Sequence, residues 1–323
     1  MVKKIKKVVA SAPGKVLWIG SYSVVFGGIS HSIAINKRVR AECEYSPSDD
    51  SLFETSYGVF KGKGNSLIES VISQFPNLPK VHVKLINDKD FLLEGRKTGL
   101  GSSSASTVAL TACLYALVNE NVDLNEIHKI SQVANYQRQR GIGSGFDIAT
   151  AVYGSIVYKR FTDIQNLDTY IEPLRLGDKY QMALAFIGES YDTVNSVAKF
   201  VEKRDLEQFK QMMKYIDAEN SFAIKLLKDN KLEQAVEHLK LSRLMLEQLA
   251  ENVVGVKIEN EKTIELRRIA EKYDALIAMS PGAGGESVFA IGYDLSRVIE
   301  EWKKIKGIYV INLKEDEGLK VET

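Results

Sequence analysis

The segment Lys97-Thr98-Gly99-Leu100-Gly101-Ser102-Ser103-Ser104 runs directly into a long apolar stretch. Glycines permit left-handed backbone and close approach of a ligand. The amides at the start of a helix, aided by its dipole, favour an anion there. The hydroxyls of Ser102, Ser103 and Ser104 can cap that helix or reach a phosphate or a magnesium ion. The spacing is not that of a Walker A loop, which ends in Lys-Ser/Thr, nor that of a dinucleotide fingerprint, which needs a third glycine. A second turn, Ala12-Pro13-Gly14-Lys15, delivers Lys15 into the apolar run Val16-Leu17-Trp18-Ile19. Taken alone, Lys15 reads as a surface lysine at a strand end. A third, Ser280-Pro281-Gly282-Ala283-Gly284-Gly285-Glu286, lies between two apolar runs and reads as a strand–turn–strand. Between them, Asp147 closes Gly141-Ile142-Gly143-Ser144-Gly145-Phe146, where a turn or cap residue is the ordinary reading. Together these types suit phosphoryl transfer, which uses an anion-binding loop, a carboxylate that orients the attacking group and a fixed cation.

The elements that must position them follow from periodicity. Val39–Tyr45 and Val81–Ile86 alternate as strands with one wet face. Thr107–Asn119 is too long and uniformly apolar for a strand and reads as a buried helix, with the serine cluster as its N-cap. Asp123 opens a helix over 124–140, and Ser155–Tyr158 is a strand. After a polar connection at 162–178, Met182–Ile187 reads as a buried strand. Helices are expected at 192–203, 206–228, 232–251 and 260–273. The runs 275–279 and 287–292 read as adjacent strands, and 309–313 as one more. No repeat or low-complexity tract interrupts them.

Bulk properties limit the function classes. The 323 residues are 45% hydrophobic and 26% charged, the balance of a globular protein with room for two cores. With 43 basic and 42 acidic residues, net charge +1 gives no global attraction for nucleic acid. The basic start of the chain has no apolar run fit for a signal peptide, and no window reaches membrane-spanning length without charges. A cytoplasmic protein without nucleic-acid or membrane partners is expected. Cys43 and Cys113 have no metal-ligand spacing, and Cys113 sits in an apolar run as a small buried hydrophobe. Trp18 or Tyr57 is open as an adenine contact or as core.

In order and spacing, Pro13-Gly14-Lys15, Gly99-Leu100-Gly101-Ser102-Ser103 and Gly282-Ala283-Gly284-Gly285 resemble the three signatures of the GHMP kinases. Gly143-Ser144-Gly145-Phe146-Asp147 is similar to the segment found in the eukaryotic-type phosphomevalonate kinase branch. Gly20-Ser21-Tyr22, where mevalonate kinases tend to have Gly-Glu-His, agrees with that branch. The resemblance implies an α+β, two-domain fold: residues 1–170 as a domain like the second domain of ribosomal protein S5, and 171–323 as a ferredoxin-like domain. It implies ATP and Mg²⁺ as cofactors and 5-phosphomevalonate as acceptor; a homodimer is left open. Asp147 and Lys15 are implied as catalytic. Lys97, Gly99 to Ser104 and Gly282 to Gly285 are implied around the nucleotide phosphates, with Ser103 on the metal. Ser144, Gly145 and Tyr22 are implied at the acceptor, and Arg138 and Arg140 are candidates for its phosphate, with Lys97 a second. One departure stands out: the carboxylate that mevalonate kinases carry on the preceding helix is absent from Tyr136 to Arg140. Mevalonate kinase, a mevalonate 3-kinase, a diphosphomevalonate decarboxylase and a non-catalytic binding homologue are the alternatives.

Overall fold

The computed structural model describes residues 7–189 and 192–322; the basic start of the chain, residues 1–6, lies outside them. Strands β1 (Lys7–Ile19) and β2 (Ser30–Tyr45) form a long antiparallel pair, with a register shift between Pro13 and Gly14. The proline lacks a ladder donor, so the bulge falls where pairing is weakest and sets the strand segment that carries Lys15. Next come β3 (Leu52–Thr55), β4 (Gly58–Lys61), helix α1 (Ser66–Ile72) and β5 (Val81–Asn87). A small hairpin, β6 (Leu92–Leu93) and β7 (Arg96–Lys97), leads into α2 (Ser102–Asn119). Helices α3 (Leu124–Arg138) and α4 (Phe146–Tyr153) precede β8 (Ile156–Lys159) and β9 (Tyr170–Pro173). α2 is apolar all round because it is covered all round: β1 and β2 on one side, α1, α3 and α4 on the others. Asp123 caps α3 as expected, accepting from the amides of Asn125 and Glu126.

The remainder builds a second sheet. It begins with β10 (Gln181–Phe186), followed by α5 (Thr193–Lys203), α6 (Glu207–Lys228), α7 (Leu232–Leu249) and α8 (Glu261–Lys272). Then come β11 (Ile277–Met279), β12 (Ser287–Gly292), α9 (Ser296–Lys304) and β13 (Tyr309–Leu313). The sheet order β11-β12-β10-β13 is antiparallel throughout. With α8 and α9 packed together, this is the βαββαβ arrangement of a ferredoxin-like layer, and α5 to α7 are inserted between its first strand and first helix.

The two lobes share one apolar core. Val16 and Trp18 of β1 belong to the same buried cluster as Leu184, Phe289 and Leu313 of the second sheet, and the Trp18 and Phe289 rings meet edge-on at 6.4 Å. The chain also crosses back. β14 (Lys320–Glu322) pairs with β1, and β9 pairs with β8, so two segments beyond residue 169 belong to the first sheet. A cut at 170 therefore divides β9 from its start and assigns the last strand to the wrong sheet. The segment leading to β14 straps the first lobe: Arg38 donates to the carbonyls of Glu317 and Gly318, and the Leu319 amide to Val152 of α4. Both cysteines are free and buried.

Candidate active site

The phosphate loop is built by two left-handed glycines, Gly99 (φ +75°) and Gly101 (φ +85°), with Leu100 buried between them. The helix begins at Ser102, five residues earlier than its apolar run suggests. Its N-cap is Gly101, with no side-chain cap, so the serine cluster does not cap it. The reason is steric: the left-handed backbone at the cap position suits glycine and disfavours serine. The first-turn amides thus keep their donors for an anion. Ser104 is buried and turns its hydroxyl back onto the Gly101 carbonyl at 2.8 Å, while Ser102 and Ser103 are partly exposed at the helix start.

Lys15 is tied to this loop twice. Its amide donates to the Leu100 carbonyl at 2.8 Å and its ammonium to the Gly99 carbonyl at 2.9 Å. The ammonium also lies 5.6 Å from the centre of the Phe146 ring, a cation–π distance. Burial pushes the Lys15 ammonium below the ordinary lysine range, and the charges of Asp147 and Glu286 oppose that shift. Lys15 is thus half-buried and tied to the loop rather than a free surface lysine. Asp147 is not in a turn but in the first turn of α4, behind the left-handed cap Gly145 (φ +82°), and its carboxylate accepts from the Ile148 amide at 3.0 Å.

The stretch before Asp147 is braced from behind. Buried Tyr158 donates its hydroxyl to the Ser144 carbonyl at 2.8 Å, and Gln132 of α3 donates to the Gly145 carbonyl at 2.6 Å. Burial pushes the Tyr158 phenol up, with the Asp147 charge adding to the shift and that of Arg160 opposing it. Arg160 therefore belongs to this neighbourhood; its Nη2 donates to the Gly141 carbonyl at 3.1 Å. Arg138, at the end of α3, donates to the Asn135 side chain at 2.9 Å. The Nε of each arginine is buried without a hydrogen-bond partner among the described residues. Arg140 is exposed in a left-handed turn (φ +53°), and Lys97 is exposed on β7.

The third glycine turn closes the site from the second lobe. The Gly282 amide donates to the Leu17 carbonyl at 3.0 Å, and Gly282, Gly284 and Gly285 all have positive φ. Tyr22, expected at the acceptor, lies in this seam. Its ring stacks on Phe200 at 4.0 Å and its hydroxyl donates to the Ala283 carbonyl at 2.7 Å. Trp18 is core, donating to His31 at 2.6 Å, and Tyr57 is exposed in the β3–β4 turn.

Sequence reasoning missed Arg160 and Glu286. Arg160 was visible only as the polar end of a strand, and Glu286 only as a charge wedged between a glycine turn and an apolar run. A carboxylate oxygen of Glu286 lies against Gly99, so close that a Cβ there would overlap it.

Such a site, on these two lobes, defines a small-molecule kinase. The profile of the GHMP kinases N terminal domain matches residues 66–155. The phosphomevalonate kinase of Saccharolobus solfataricus is 58% identical over 320 residues, 97% of this chain and 98% of its own length. The chain belongs to the GHMP kinase family. Among solved structures, a Listeria innocua protein superposes with a TM-score of 0.85 at 20% identity, covering 98% of this chain and 99% of its own. Streptococcus pneumoniae phosphomevalonate kinase, in complex with phosphomevalonate and AMPPNP, superposes with a TM-score of 0.80 at 20% identity, covering 95% of this chain and 99% of its own.

Proposed function

We propose that this chain is a phosphomevalonate kinase, transferring the γ-phosphoryl group of ATP to the phosphate of 5-phosphomevalonate to give ADP and 5-diphosphomevalonate. The observation that carries the reading is Lys15, fixed on the phosphate loop and under the charge of Asp147, in a chain 58% identical along nearly its whole length to a phosphomevalonate kinase. The attacking atom is a phosphate oxygen, already anionic at neutral pH. The protein therefore has to position it and neutralise charge more than to remove a proton.

In this reading Lys15 meets the charge that spreads over the transferring group, and Asp147 keeps Lys15 protonated and oriented. The first-turn amides of α2 and the backbone of Gly99 to Ser104 hold the ATP phosphates, with Gly282 to Gly285 facing them. Ser144 and Gly145 border the acceptor. Arg160 and Arg138, with Arg140 and Lys97 further out, receive the acceptor's own phosphate; a guanidinium suits bidentate contacts to it.

Magnesium fits the residues present in a limited way. Among the described residues no group of three or more histidine, cysteine or acidic side chains is placed to cage a metal. Mg²⁺ commonly takes one or two protein oxygens and leaves the rest to phosphates and water. Ser103, with its partly exposed hydroxyl at the start of α2, would be one such oxygen. When bound, the ion would neutralise phosphate charge.

No helix among the described residues is long and apolar enough to cross a membrane. We place the reaction in the cytoplasm, without membrane or nucleic-acid partners, and a homodimer is tested by light scattering. The functional test is release of ADP with mevalonate, 5-phosphomevalonate or 5-diphosphomevalonate as acceptor. Turnover with 5-phosphomevalonate well above the other two is the expected result. Preference for mevalonate would replace this acceptor while leaving the kinase, and ATP consumption with none of them would sink both.

A further inference from the structure

The second lobe puts a carboxylate on the phosphate loop of the first. Glu286 follows two left-handed glycines, Gly284 (φ +90°) and Gly285 (φ +83°), and its carbonyl accepts the Ile187 amide at 3.0 Å. The backbone at Glu286 is thus pinned to the end of β10, and the side chain crosses the seam to touch Gly99. Its charge joins that of Asp147 in holding the Lys15 proton.

This arrangement sets an electrostatic problem. ATP brings several negative charges to a loop that already carries a carboxylate, and Lys15, the cation fixed on that loop, is shared with Asp147. Anions in such proximity repel strongly away from bulk water. A divalent cation between them turns repulsion into ligation, and Mg²⁺ is commonly held by a carboxylate together with substrate phosphates. We propose that Glu286 is the carboxylate through which this protein holds the Mg²⁺ of Mg·ATP, so that the metal nucleotide is gripped from both lobes. The inference rests on the reading that Gly99 to Ser104 bind the nucleotide phosphates.

The sign of the effect of Glu286→Gln separates this role from others. Affinity for the non-hydrolysable analogue AMPPNP is measured by calorimetry with Mg²⁺ and again in EDTA. Binding of Mn²⁺ in the AMPPNP complex is followed by electron paramagnetic resonance. Expected is a roughly ten- to a hundredfold loss of Mg·AMPPNP and Mn²⁺ affinity, by analogy with losses around metal sites. Metal-free AMPPNP should bind as well as, or better than, it does to the wild type, because a repulsive charge is gone. Glu286→Asp should recover part of the metal preference. Tighter binding in both conditions would make Glu286 a displaced anion. An equal loss in both would make it a prop for the loop, and unchanged Mg²⁺ preference would leave it no metal role. Each of these overturns the proposal. If the wild type binds AMPPNP in neither condition, the nucleotide reading falls first and this inference with it.

Discussion

Replacing Gly101 by alanine perturbs the site at the point where loop geometry and Lys15 meet. Two costs separate. The first is backbone: a left-handed conformation (φ +85°) costs a residue with a Cβ roughly 1–2 kcal/mol. The second is contact. The new Cβ would lie 3.0 Å from Lys15 Cγ and 3.1 Å from Cε, closer than the ordinary contact range of 3.4–4 Å. The lysine stem must retreat by a few tenths of an ångström, yet its amide is tied to Leu100 and its ammonium to Gly99. The displacement therefore reaches the ammonium. Since misplacement by about 1 Å can cost about a hundredfold in rate, a shift of this size should lower kcat about tenfold. Gly177→Ala is the control. It has the same backbone strain (φ +78°) with nothing within 4 Å of a Cβ. Both variants should melt a few degrees below the wild type, and only Gly101→Ala should lose turnover in a coupled ADP assay. Wild-type kcat in Gly101→Ala, with a melting loss matching the control, would refute the claim that the position of Lys15 limits the reaction.

Three other expectations follow from charge and burial. Because burial depresses the Lys15 pKa while Asp147 and Glu286 raise it, the alkaline limb of kcat/KM should lie below the free-lysine value of 10.5. Asp147→Asn removes one raising charge and should move the limb further towards neutrality; an unmoved limb would separate Lys15 from it. Arg160→Gln should raise the KM for 5-phosphomevalonate roughly tenfold or more, the scale of one charged hydrogen bond, and leave that for ATP unchanged. Equal changes in both would place Arg160 elsewhere. Burial holds His128 neutral, down to a pKa of about 4 against an unfolded value of 6.5. Below pH 6.5 the unfolded chain takes up a proton that the fold refuses, so stability should fall by about 3 kcal/mol as the pH drops to 4. Urea unfolding at pH 7 and 4.5 should show about 2 kcal/mol of that loss, and His128→Leu should lack it.

Much of this architecture is legible in the order of residues because it depends on local pattern. The helix opened by Asp123, the strands 39–45 and 287–292, and the helix following Asn260 each announce themselves through a cap, a period or an apolar run. The same holds for the three glycine turns, whose backbone needs are written in residue type. What pattern misread was decided by neighbours. Serines before an apolar run suggest a cap, but Gly101 takes that position because the loop must turn left-handed to receive Lys15. Tyr22 and Trp18 are each compatible with a ligand, and only the facing lobe shows that both are used in packing. The return of β14 to the first sheet leaves no local trace, since three residues of strand are too short to carry a period.

The seam between the lobes explains why the functional residues are scattered through the chain. Gly282 bonds Leu17, two residues beyond Lys15, and Tyr22 bonds Ala283. The turn of the second lobe is thus registered on the strand that carries the lysine. The strap before β14 bonds Val152 at the far end of the helix that carries Asp147 in its first turn. The elements that carry Lys15 and Asp147 are therefore each held by a segment from another part of the sequence. A phosphoryl transfer that relies on placement rather than on a strong base needs such over-determination, because small displacements cost rate steeply. Substitutions along the seam, far from the loop in sequence, should accordingly act on turnover before they act on folding. Tyr22→Phe gives the sharpest case: the ring stacking on Phe200 is kept and the bond to the Ala283 carbonyl is lost. A melting point within a degree or two of wild type with reduced kcat is expected, and a loss of stability without loss of turnover would show that the seam only holds the lobes together.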